Sequence, residues 1–209
     1  MQQAGKFITL EGVEGAGKST SLRYIEQLLE NLGVRLVRTR EPGGTALGEE
    51  VRGLLLSHRD EGITSTSELL LMYAARAEHI ERIIQPALAR GDWVLCDRFA
   101  DASFAYQGGG RGIDYDHIRE LHQWVMGDFG PDLTLLLDLP VTLGLRRAAR
   151  RSQPDRFETE SQAFFERVRS AYWRIAREDP DRVKIVDSSR PRAEVEQQIR
   201  QIIMNLVAS

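Results

Sequence analysis

The 209-residue chain has a single cysteine, Cys96, so no intrachain disulfide can staple it. A lone thiol inside an apolar run fits a reducing compartment. No apolar run approaches the ~20 residues of a membrane-spanning helix. The stretch Met1-Gln2-Gln3-Ala4-Gly5-Lys6 lacks an apolar signal region. These absences lead us to expect a soluble cytoplasmic protein with no membrane partner. No Pro/Gly/Ser-rich linker, repeat or low-complexity stretch divides the chain, so one domain over residues 1–209 is expected. The formal net charge of −3 supplies no broad basic field, which argues against a nucleic-acid partner. The four histidines (His58, His79, His117, His122) lack paired metal-ligand spacing and read as surface or internally satisfied residues.

What the chain does have is Gly12-Val13-Glu14-Gly15-Ala16-Gly17-Lys18-Ser19-Thr20. It follows the apolar run Phe7–Leu10 and precedes a helical pattern at Leu22, Ile25, Leu28, Leu29 and Leu32. Strand, G-x-x-x-x-G-K-S and helix in that order form a phosphate-binding loop. The glycines let the backbone wrap closely and turn its N–H groups inward as an anion nest. The helix N-terminus adds its positive end. Lys18 is then placed to reach the β- and γ-phosphates of a nucleoside triphosphate, and Ser19 to ligate a bridging Mg2+.

Apolar runs at 7–10, 35–39, 93–97, 133–139 and 183–186 alternate with helical patterns. Most are continuous rather than alternating, as expected of strands buried on both faces. The expected fold is a doubly wound, five-stranded parallel α/β sheet with helices on both faces, of the P-loop kinase type. Ligands of such sheets bind beyond the carboxyl ends of the strands, and the residues there carry the chemistry.

Arg40, in Arg38-Thr39-Arg40-Glu41-Pro42-Gly43-Gly44-Thr45, is either a phosphate fork or a solvated turn residue. On the long helical pattern between Ser67 and Gly91, Met72 and Arg76 share a face. They could cradle a base, or be core packing and an ion pair with Glu68 or Glu78. Asp97 ends a buried strand, a costly place for a carboxylate without a polar task; the magnesium shell is that task, and Arg98 follows as a second cation. Ser103, Tyr106 and Gln107 lie within about one helical turn and could face one ligand. The Gly-rich tail Gly108–Gly112 reads as a flexible loop. Residues 143–158 carry Arg146, Arg147, Arg150, Arg151 and Arg156 around the breaker Gln153-Pro154-Asp155. They form either a solvated basic face or a mobile lid that brings arginines to a transferring phosphate. The loop after the fifth strand, Asp187-Ser188-Ser189, lies by analogy near the nucleotide base.

No N-K-x-D guanine-reading motif occurs, which disfavours a GTPase switch. Arg40, Arg76 and Arg98 exceed what one triphosphate needs, so a second anionic substrate is implied. Glu14 beside phosphates is repulsive, by about 1 kcal/mol at ~4 Å even in water. It should turn away and accept a hydrogen bond, for example from an acceptor sugar. Together these point to phosphoryl transfer onto a small phosphorylated acceptor. Other nucleoside monophosphate kinases, a non-catalytic nucleotide switch and a nucleic-acid-stimulated ATPase remain as alternatives.

Over essentially its whole length the chain resembles the thymidylate kinases. The resemblance rests on the loop with Glu14, on Thr39–Thr45, on Tyr73-Ala74-Ala75-Arg76, on Asp97-Arg98-Phe99, and on Tyr106–Gly112. It implies Mg2+-dependent transfer of the ATP γ-phosphoryl group to dTMP, giving dTDP and ADP, by a homodimer joined through helices such as the one holding Tyr73 and Ile80. ATP would lie on Gly12, Glu14, Gly15, Ala16, Gly17, Lys18, Ser19 and Thr20, with Ser19 and Asp97 at the metal. Glu14 would bind the deoxyribose 3′-hydroxyl, Arg40 and Arg98 the acceptor phosphate, and Arg76 the thymine. Ser103 and Gln107 would complete the base contacts, and Tyr106 would lie where a ribose 2′-hydroxyl clashes. Many relatives carry an aromatic residue in place of Met72, whose thioether can still pack on a ring. The loop has no arginine between Glu14 and Gly17, so the resemblance is to the bacterial type whose lid supplies the catalytic arginine. Arg156 is the first candidate, then Arg151 and Arg147; Lys18 and Arg98 complete the catalytic set.

Overall fold

The computed structural model describes residues 5–149 and 156–208. Five strands form one parallel sheet: β1 (Phe7–Glu11), β2 (Leu36–Arg40), β3 (Trp93–Asp97), β4 (Leu133–Asp138) and β5 (Val183–Asp187), ordered β2-β3-β1-β4-β5. Every residue of β1 is buried, as its apolar run requires. The strand register aligns Arg40 with Asp97 and Asp138 with Asp187. Glu11, Arg40, Asp97 and Asp138 therefore stand at one edge, the carboxyl edge, where β1 gives way to the phosphate-binding loop. β2 is shifted one residue from the expected 35–39, and ends on Arg40 itself.

Helices cover both faces: α1 (Lys18–Asn31), α2 (Ala46–Leu56), α3 (Ser65–His79), α4 (Gln85–Ala89), α5 (Ala100–Ser103), α6 (Tyr115–Met126), α7 (Val141–Ala148), α8 (Gln162–Glu178) and α9 (Arg192–Ala208). Side-chain oxygens cap several of them. Thr45 accepts from Gly48 N, Thr64 from Ser67 N and Ser161 from Phe164 N, each satisfying a first-turn donor. The expected long helix up to Gly91 is α3 and α4 joined through a π-helical stretch, Ile80–Ile84. Among the described residues no helix is long and apolar enough to cross a membrane.

The Gly-rich tail departs from expectation. Phe104–Gly110 is a π-helical turn continuing α5, and Gly108 and Gly110 are buried. The glycines serve close approach rather than mobility. A Cβ on Gly109 would lie 2.7 Å from the Ala171 methyl, and one on Gly110 2.5 Å from the Phe164 ring. Only hydrogen at these positions lets the turn seat against α8. His79 is internally satisfied: its ring bonds Glu41 and Thr39. His122 is not, for its Nδ1 is buried with no hydrogen-bond partner among the described residues.

Gly110→Ala should destabilise the fold by about 1–3 kcal/mol through overpacking. Gly53→Ala, in an exposed stretch of α2 with nothing near the new methyl, should stabilise it by about 0.5–1 kcal/mol. Urea unfolding of the two variants measures both; equal effects would refute the packing role of the glycine turn.

Candidate active site

A cavity of about 320 Å3 opens over the carboxyl edge of β1–β3. Its walls come from the phosphate-binding loop, the loop after β2, α3, the α5 turn and the segment after residue 156. In the loop, Gly15 has φ +72°, and a Cβ there would fall 2.0 Å from Gly144 O at α7. The glycine is thus required both for its backbone angle and for contact with the lid-bearing helix. Lys18 Nζ donates to Gly12 O (3.0 Å) and Val13 O (3.2 Å), folded along the nest. Burial lowers the pKa of its ammonium, Arg98 adding to this and Glu14 and Asp97 opposing it. Ser19 and Asp97 line the same cavity, and Asp97 Oδ1 is buried with no hydrogen-bond partner among the described residues. Ser188, after β5, donates to Ala16 O, so that loop does meet the phosphate-binding loop.

Arg98 is the hub. Its backbone has φ +66°, a left-handed conformation that costs a non-glycine residue about 1–2 kcal/mol. Two flanking bonds hold it there, from Arg98 N to Leu10 O (3.0 Å) and from Phe99 N to the Glu11 carboxylate (2.7 Å). Its guanidinium donates to Gly12 O (2.9 Å), Glu14 Oε1 (2.6 Å), Tyr106 Oη (2.9 Å) and, more weakly, Tyr172 Oη (3.3 Å). Burial works against its charge, but Tyr106, Glu14 and Tyr172 outweigh it and hold the pKa well above the ordinary value. Glu14 turns toward Arg98 and the Tyr106 hydroxyl, as like-charge repulsion from phosphates requires.

The remaining expected residues divide by depth. Arg40 sits at the rim, forked onto Glu49 through Nε (3.3 Å) and Nη2 (2.7 Å), with its side chain half exposed. Met72 is half-buried in the wall. Arg76 is 2% exposed and bonds Glu41 (2.8 Å), Ser103 Oγ (3.0 Å) and Phe99 O (3.1 Å) beneath the cavity. Its partner is thus Glu41, rather than the Glu68 or Glu78 of the surface-pair alternative. Ser103, Tyr106 and Gln107 converge on the cavity as their spacing predicts. Gln107 Nε2 donates to Glu68 (2.9 Å).

The lid residues fare differently. Arg147 donates to Ser188 O at the nucleotide side. Arg151 lies outside the described residues. Arg156 donates to Leu55 O (2.9 Å) and Glu68 Oε2 (2.6 Å), while its neighbours Phe157 and Glu158 form the cavity wall. In this conformation Arg156 is therefore committed to Glu68, beside the acceptor side of the cavity.

Sequence reasoning assigned no role in the site to Glu11, Glu41 or Tyr172, and saw Glu68 only as a possible surface partner of Arg76. Glu11 carried the same signal as Asp97, an acid ending a buried strand. It accepts from Phe99 N and from the Tyr172 hydroxyl (2.6 Å) and is fully buried. Burial pushes its carboxyl up to about 7 despite the opposing pull of Arg98. A carboxyl with a raised folded-state pKa binds its proton more tightly in the fold. Its contribution to stability is therefore fully present below the ordinary glutamate range and is lost as pH rises to about 7. Measured against Glu11→Gln, the wild-type chain should lose up to about 3 kcal/mol between pH 4.5 and pH 7.5. A flat difference between the two unfolding curves over that window would contradict the buried-acid reading.

The sequence model of the thymidylate kinase family matches residues 10–199. The chain is 53% identical over 203 residues to a thymidylate kinase of Pseudomonas syringae pv. tomato, covering 97% of each chain. It is 53% identical over 201 residues to one of Nitrosomonas europaea, covering 96% of this chain and 93% of the other. The crystal structure of thymidylate kinase from Ehrlichia chaffeensis superposes with a TM-score of 0.77 at 36% identity, over 96% of this chain and 99% of that one. A phosphate-binding loop that shares one cavity with Arg40 and Arg98, with this likeness along nearly the whole length, places the chain in the thymidylate kinase family.

Proposed function

We propose that the chain transfers the γ-phosphoryl group of ATP to dTMP, giving ADP and dTDP, as a single kinase domain over residues 1–209. The observation that carries the reading is Arg98. It touches the phosphate-binding loop at Gly12 O and at Glu14, whose side chain turns to the acceptor side, and it meets that side again at Tyr106. A cation so placed spans the gap that a phosphoryl group must cross.

The chemistry needs no enzyme nucleophile. An oxygen of the dTMP phosphate attacks the γ-phosphorus, the new P–O bond forms as the bond to the β-bridging oxygen breaks, and that electron pair leaves with ADP. The protein's task is to position the reactants and stabilise charge. Lys18 and the loop amides receive the triphosphate of ATP, with Gly12, Glu14, Gly15, Ala16, Gly17, Ser19 and Thr20 framing it. Arg98 and Arg40 hold the acceptor phosphate, Arg40 by exchanging its exposed Glu49 partner. Glu14 takes the 3′-hydroxyl, Arg76, Ser103 and Gln107 the base, and Met72 and Tyr106 pack on base and sugar.

Mg2+ fits the residues present. A buried carboxylate oxygen with no partner is costly, and among the described residues Asp97 Oδ1 is one such atom, in a residue that lines the same cavity as Ser19. When bound, the ion would supply charge neutralisation across the β- and γ-phosphates.

The lid, residues 143–158, completes the charge. Arg156 would have to leave Glu68 to reach the phosphates, which favours Arg151 as the transition-state arginine. The chain is further proposed to work in the cytoplasm as a homodimer. Tyr73 and Ile80 are core residues, so the face available on α3 is that of Leu70. The neighbouring α6, which packs on α3, exposes Trp124. Light scattering should give twice the chain mass, and Trp124→Glu the single mass; a monomeric wild type would contradict this.

Arg98→Ala should lower dTDP formation at least ~100-fold. Arg151→Ala should lower kcat by on the order of 10^3-fold with a smaller change in ATP affinity, and Arg156→Ala less than Arg151→Ala. Near-normal turnover in Arg98→Ala would remove the assignment, and the reverse lid order would return the catalytic role to Arg156.

A further inference from the structure

Glu68 is fully buried and receives donors from three residues. Oε1 accepts from Gln107 Nε2 (2.9 Å) and Arg111 Nε (3.2 Å), while Oε2 accepts from Arg156 Nη2 (2.6 Å) and Arg111 Nη2 (3.3 Å). Both oxygens thus face a guanidinium, which has donors only. All four contacts are donors, so Glu68 serves here purely as an acceptor. This fixes its neutral neighbour. A side-chain amide has one donating and one accepting end, and only the NH2 end can face a carboxylate. Gln107 therefore presents its carbonyl oxygen away from Glu68, and it is a residue of the cavity lining.

We propose that Glu68 is a specificity-determining positioning residue. By holding the Gln107 amide with its carbonyl toward the cavity, it makes the site demand a base with a ring N–H at that edge. Pyrimidine-2,4-diones have this hydrogen. Cytosine-type bases have a bare nitrogen there, whose lone pair would meet the Gln107 oxygen with no proton between them. A site built to hydrogen-bond one edge rejects a base of the wrong polarity more strongly than any change of size achieves. The inference rests on the proposed acceptor being dTMP, and it moves the origin of base choice from the contacting residue to the buried carboxylate behind it.

The test compares kcat/KM for dTMP with that for 5-methyl-dCMP. The two share the 5-methyl group, sugar and phosphate and differ at ring N3 and the C4 substituent. In Glu68→Gln the residue offers both a donor and an acceptor, so Gln107 is free to turn over. The dTMP-to-5-methyl-dCMP ratio should fall at least ~10-fold. Glu68→Asp retains the charge but withdraws it by one methylene, and should also lower the ratio; it serves if Glu68→Gln does not fold. Wild-type turnover of dTMP is measured first. Its absence overturns the proposed function and this inference together. Normal wild-type turnover, with the ratio unchanged while both acceptors lose rate in parallel, overturns the role of Glu68 alone.

Discussion

The site depends on keeping one cation, Arg98, away from bulk water at the carboxyl edge of the sheet. An unpaired guanidinium there would be prohibitive, and removing one partner of such a pair typically costs about 3–5 kcal/mol. The chain therefore surrounds it. Glu14 supplies the opposite charge, Gly12 O and two tyrosine hydroxyls take further N–H groups, and Glu11 pins the left-handed backbone through Phe99 N. These partners come from β1, the phosphate-binding loop, the α5 turn and α8. Satisfying one guanidinium thus ties the nucleotide side of the cavity to the acceptor side. It also explains a glycine-rich turn in the interior: Tyr106 stands next to the glycines that let its backbone close against α8.

The other arginines separate into fixed and exchangeable ones. Arg76 is locked by Glu41, Ser103 and Phe99 O with almost no exposure, so it is part of the floor. Arg40 has a comparable fork, but onto Glu49 at the surface, where an ion pair is worth at most about 1 kcal/mol and yields readily to a ligand phosphate. Arg156 lies between these extremes, with its side chain 13% exposed on a fully buried carboxylate. Depth, more than residue type, decides which cations keep their protein partners and which can exchange them for substrate.

Much of the fold was legible because strands and loops obey local rules. Continuous apolar runs marked buried parallel strands, and G-x-x-x-x-G-K-S marked the nest between β1 and α1. That Asp97, Arg98, Ser103, Tyr106 and Gln107 line one cavity was legible from their positions at and just beyond the end of β3. The acids behind them were not. Glu41 and Glu68 are separated from their partners by tens of residues, and nothing local distinguishes a helix-opening Glu68 from a solvated one. Gly108 to Gly110 misled because glycine signals either freedom or close contact, and only the facing Ala171 and Phe164 decide which. The Arg156–Glu68 pair was hidden for a related reason: a lid arginine next to a breaker looks available, and its bond to Glu68 is visible only in three dimensions.

The most direct test of the account is ADP formation from ATP and magnesium with the wild-type chain, using dTMP, dUMP, dCMP, dGMP, dAMP and UMP in turn as acceptors. The account predicts ADP release that requires an acceptor and is strongly selective for dTMP. Comparable rates across several acceptors, or turnover that needs none of them, would contradict it.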